Sequence, residues 1–178
     1  MTDALHLSET MEKGEECMAQ QTMTRQEAIE ELQQYNIHDA QIYLIDIIPL
    51  IEILWADGKV QLGEIAILNE YLKKHVSHVN QIAGDDIITL EEANDFASRF
   101  LKKRPDPQLL KTLRSFITPI RFSCSNKISK ELLRESLLAA CLDIAAISVA
   151  DYPYQLHERF NPAEKRCFFE ILESLECE

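Results

Sequence analysis

Asp57 and Glu64 are the side chains with most to offer chemically. Asp57 falls at the end of an apolar segment and Glu64 lies one short loop later. Oxygen donors placed this way suit a hard cation such as Ca²⁺ or Mg²⁺, which takes several carboxylate or carbonyl ligands. Glu52, one helical turn before Asp57, and the loop carbonyls are further donors. Asp151 and Glu164 repeat the pairing near the other end of the chain. The candidate metal ligands are therefore Asp57, Glu64, Glu52, Asp151 and Glu164. Each also has a plain structural use. Glu64 and Glu164 fall at the third position of a helix, where capping and the helix dipole favour a carboxylate, and Asp57 before Gly58 is an ordinary turn residue. No DxDxDG loop is present, so the pattern is not an EF-hand.

Other chemistry is sparse. His75 and His78 are spaced i, i+3 and could offer zinc two nitrogens; the simpler reading is favourable charge at a helix C-terminus. Tyr152, Tyr154 and Phe160 cluster in one loop and suggest a partner-contact surface, whereas Trp55 and Tyr43 belong to a buried helix. The five cysteines are scattered without a C-x-x-C. Cys141 and Cys167 sit in apolar helical patterns, as reduced core thiols do. No G-x-S-x-G, H-E-x-x-H, P-loop or S-x-x-K motif occurs. A reaction carried by the Asp57 and Asp151 carboxylates would need them to converge in a pocket, so the chain reads as a non-enzyme with no catalytic residues.

The elements that must position these groups are helices. Thr24 and Glu27 form a capping box opening a helix over residues 24–36. Asp39 caps a second helix, apolar on nearly every face through Trp55, with Pro49 bending it. A third covers residues 61–78. Thr89 and Glu92 are another capping box, opening a helix through Leu101. Asp106 and Pro107 are the N-cap and first residue of a fifth helix. Ser129 caps a long sixth helix, again apolar almost all round, and Asn161-Pro162-Ala163-Glu164 starts a seventh. The reading is an all-α fold of about seven helices. Residues 1–23 form a mobile acidic tail and residues 24–178 a single domain. Helices two and six should lie side by side at the centre, so Leu142→Asp is expected to unfold the domain.

Two stretches can be superimposed. In each, a very apolar helix ends in Ala-Asp (Ala56-Asp57, Ala150-Asp151). A loop with one apolar residue follows (Val60, Phe160), then a cap and Glu64 or Glu164. The second copy has Tyr152-Pro153-Tyr154 in place of Gly58 and a longer loop. The order implies two related halves about a pseudo-twofold axis.

Ala56-Asp57-Gly58-Lys59-Val60 followed by Glu64 resembles the A-D-G-x-(apolar)-x-x-x-E element of the tellurite-resistance TerB-like family. The run from Ile47 to Leu54 resembles that family's central helix. The same element occurs in the N-terminal part of membrane-anchored DjlA co-chaperones. The resemblance spans residues 39–71 closely and 137–175 loosely. It implies an all-helical cytoplasmic module of the response to tellurite, metal or oxidant stress. Such a module would bind a divalent cation through acidic residues, or a protein partner that is membrane-associated. The alternative is a co-chaperone-like interaction domain with no metal.

Charge narrows the partners. With 30 Asp and Glu against 18 Lys and Arg, the net charge is −12. Such a chain repels nucleic acid and anionic lipid and attracts cations or basic partners. No uninterrupted 18-residue apolar span occurs, so no membrane insertion is expected. A basic, then apolar, N-terminal leader is not seen, and a reducing cytoplasm suits the cysteines.

Overall fold

The computed structural model describes residues 23–122, 127–148 and 161–175. It is all-α, with seven α-helices and no strand among these residues. In chain order they are α1 (Arg25–Gln33), α2 (Ile48–Leu54), α3 (Leu62–Ala83), α4 (Leu90–Leu101), α5 (Pro107–Ser115), α6 (Lys127–Ser148) and α7 (Pro162–Leu175). A 3-10 helix, Asp39–Ile47, leads into α2, and a π-helical turn, Thr118–Phe122, follows α5. No described helix is long and apolar enough to cross a membrane. The expected acidic tail lies outside the described residues, apart from Met23.

Side-chain capping sets most helix starts. Thr24 Oγ1 accepts from the Glu27 amide at 3.3 Å while Glu27 accepts from the Thr24 amide at 2.8 Å. Thr89 and Glu92 do the same before α4. Asp106 accepts from the Gln108 amide before Pro107. Two expected caps are not used. Ser129 lies inside α6, which already includes Lys127. Asp39 follows the cap residue His38 and is itself held at φ +49°.

Pro49 has a different effect from a bend. Its ring opposes the carbonyl of Ile45, so the α-helical pattern does not run through this point. The chain is wound as a 3-10 helix up to Ile47, and α2 begins afresh at Ile48 with Pro49 in its first turn, where no amide hydrogen is missed. All of α2 is buried, Ile48 through Leu54. It is the axis of the molecule, touched by α3, α5, α6, α7 and the 3-10 helix.

The sixth helix departs from expectation. It lies against α2 and α3, but only one face is covered. Leu137, Ala140, Cys141, Ile144 and Ala145 are buried, whereas Leu132 is 62% and Leu142 37% exposed. Alanine-rich stretches look apolar all round in sequence, yet they need no full enclosure. Close approach of α3 and α6 depends on Gly63: a Cβ there would stand 2.7 Å from Ile147 Cγ2. The exposure of Leu142 also reverses the mutational expectation. Leu142→Asp should leave the domain folded at a cost of about 1–2 kcal/mol, from lost partial burial and helix propensity, and a thermal melt a few degrees below the wild-type midpoint checks it.

Candidate functional site

The end of α2 turns sharply. The Gly58 amide donates to the Trp55 carbonyl at 3.0 Å and Gly58 takes φ +87°, a left-handed value that glycine adopts without strain. Asp57 Oδ1 accepts from the Lys59 amide at 2.9 Å, closing an Asx turn. Gln61 then caps α3, and Glu64 in its first turn accepts from the Gln61 amide at 2.7 Å. At α7 the pattern recurs. Asn161 Oδ1 accepts from the Ala163 amide at 3.0 Å, and Glu164 accepts from the Asn161 amide at 3.0 Å. Glu64 and Glu164 are each only 1% exposed.

The charges of Asp57 and Glu164 act on Glu64, which makes the three an acidic junction. Burial pushes the Glu64 carboxyl up to about 7; the Gln61 amide opposes this, and the negative charges of Asp57 and Glu164 add to it. An acid in this state holds a proton near neutrality or gives it up to a cation. Among the described residues, no three His, Cys, Asp or Glu side chains are disposed to hold a metal ion. Asp151, Tyr152, Tyr154 and Phe160 lie outside the described residues.

Glu52 is not brought to this junction. It accepts from Arg114 Nη1 at 2.7 Å, both side chains being buried. Burial raises its carboxyl to about 7 against the pull of Arg114. The two histidines also part company. Because α3 runs on to Ala83, neither sits in its last turn. His75 is buried, with its Nε2 2.7 Å from the Tyr43 carbonyl, to which it donates, and its ring stacked on Tyr71. His78 faces solvent. Trp55 is half-buried and donates to the Phe100 carbonyl at 2.9 Å. Cys141 and Cys167 are free thiols, and burial raises both, Cys167 to about 12. They are protonated and poor nucleophiles.

Sequence reasoning missed the basic partners. Arg114 is buried on α5 together with Leu110 and Leu113, so an arginine stood on an apolar stripe. Arg121 bonds the wholly buried Asp46 at 2.9 Å. Asp46 interrupts an apolar run in the same way, and such an acid needs a partner.

No family model, no curated protein and no solved structure matches the chain.

Proposed function

We propose that the chain is a TerB-like, non-enzymatic module that recognises a divalent cation at the junction of Asp57, Glu64 and Glu164. One observation carries this reading: Glu64 is buried, the charges of Asp57 and Glu164 act on it, and its carboxyl is raised to about 7. A cation relieves that repulsion and takes the place of the proton. The role in tellurite, metal or oxidant stress, the cytoplasmic setting and a membrane-associated protein partner follow from the resemblance of residues 56–64 to the TerB element. A second reading is a co-chaperone-like interaction domain in which the junction meets a basic group of a protein. It is favoured by the lack of a three-ligand group among the described residues.

Calorimetry and thermal melts with Ca²⁺ and Mg²⁺ separate the two. A ligand that binds only the folded chain stabilises it by RT ln(1 + [L]/Kd), about 1.4 kcal/mol at ten times Kd. That amounts to a rise of a few degrees for a chain of this size. The response should be larger at pH 8 than at pH 6, because protons compete for Glu64 below about 7. Asp57→Asn should remove it. Glu64→Gln keeps an oxygen for the Gln61 amide and so tests ligation apart from capping. If millimolar cation gives neither heat nor a shift at pH 8, the cation reading fails and the basic-partner reading stands.

A further inference from the structure

Beside the Asp57–Gly58 turn is a cleft of about 280 Å³ between the end of α2, the α4–α5 connection and α7. Its lining is cationic in a chain whose net charge is −12. Arg104, Lys111 and Arg166 surround it, with Glu52 and Glu170 as the acids. Both acids are matched. Glu52 is paired with Arg114 at 2.7 Å, and Glu170 with Lys111 at 2.8 Å. The Lys111 pairing holds Glu170 below the usual carboxylate range, with Arg166 adding to the pull. Arg104 and Arg166 are therefore surplus positive charge, without an ion pair within 4.0 Å among the described residues. The remaining wall is apolar: Trp55, Pro105 and Leu110.

Gly58 helps form the cationic edge. A Cβ at this position would stand 3.3 Å from Arg104 Nη1. The bare turn thus lets the guanidinium lie against it. The indole of Trp55 is fixed from behind by its bond to the Phe100 carbonyl, which holds an aromatic surface beside the cations.

We propose that this cleft binds a small organic oxyanion, a phosphate or carboxylate attached to a compact apolar body. Guanidinium groups suit such anions because their planar forks donate paired hydrogen bonds to two oxygens. Arg104 and Arg166 supply these donors from facing elements. The apolar body rests on Trp55, Pro105 and Leu110. The volume, about 280 Å³, falls just below the roughly 300–1,000 Å³ range of ligand pockets, so the ligand is of small-metabolite size. Its donors, Arg104 and Arg166, are not residues of the acidic junction.

Calorimetry of the full chain with phenyl phosphate, benzoate and inorganic phosphate tests the assignment. Either aromatic probe should bind at millimolar concentration or tighter, and clearly more tightly than inorganic phosphate. Which of the two is preferred distinguishes the phosphate from the carboxylate source. Arg104→Gln and Arg166→Gln should each weaken binding about tenfold, the usual loss of a hydrogen bond to a charged group. Both positions are exposed, so the variants should fold, and a melt confirms it. Lys74→Gln, on the exposed face of α3, should bind as wild type does. The proposal is overturned if no probe gives heat, or if binding survives both arginine substitutions. Equal affinity for inorganic phosphate would overturn the organic ligand.

Discussion

Arg114→Met should lower the free energy of unfolding by about 3–5 kcal/mol, the usual cost of stranding one member of a buried ion pair. Glu52 is 8% exposed and its partner 7%, so the two charges are largely desolvated. Urea unfolding measures the loss directly. The double variant Glu52→Leu/Arg114→Met should recover most of it, because buried ion pairs are often no more stable than apolar groups of similar size. A single variant that unfolds at the wild-type midpoint would show that the pair is not desolvated as the structure has it.

The same pair gives the effect a pH dependence. The Glu52 carboxyl stands at about 7 in the folded chain against an ordinary 4.5, burial outweighing Arg114. Between these values the folded state binds more protons than the unfolded state. Its stability therefore falls as the pH rises through that window. Glu64 has the same sign. Glu27, Glu92 and Glu170 are held low by their hydrogen bonds and act oppositely, their contribution being lost in acid. Without Arg114, nothing comparable favours the ionised form of Glu52. The deficit of Arg114→Met should accordingly be larger at pH 9 than at pH 6.

Local chemistry made the helix starts legible. Thr24, Thr89, Asp106 and Asn161 each carry their cap in the adjacent residues, so neighbouring sequence is enough to place them. The path of α2 was less legible: Pro49 signalled a disturbance, but sequence alone did not distinguish a bend from a change of helix type. Burial of α6 was overread. Leu132 and Leu142 are as apolar as Leu137, and only the position of α2 and α3 decides which of them is covered. At the candidate site, the repeated Asp and Glu positions drew attention to Asp57, Glu64 and Glu164. Their relation to Glu52 was misjudged, because one helical turn in sequence does not say which neighbour the side chain faces. Arg114 and Arg121, from α5 and the π-helical turn, claim the two acids of the central segment. Pairings at such sequence distance leave only a weak local trace, a charge standing where an apolar residue belongs.

Arg121→Met should be about as damaging as Arg114→Met, about 3–5 kcal/mol, for a related reason. Asp46 has no exposed surface at all. Its Oδ2 accepts from Arg121 Nε at 2.9 Å and lies 3.7 Å from His75 Nε2, while Oδ1 has no hydrogen-bond partner. Arg121 reaches this acid because Pro119 lacks the amide hydrogen that would continue α5, and the chain widens into the π-helical turn at Thr118–Phe122. The guanidinium also lies over the Tyr43 ring, 5.4 Å from its centre, an attraction that a methionine cannot supply in the same form. His75 is already engaged with the Tyr43 carbonyl, so it is poorly placed to substitute. Asp46→Asn should cost less, about 1–3 kcal/mol, since it removes the buried charge while keeping an acceptor for Arg121. That order of the two variants in urea unfolding is the decisive comparison. If Asp46→Asn proved the more damaging, the uncompensated charge would be that of Arg121, and the unpartnered oxygen of Asp46 would carry little of the cost.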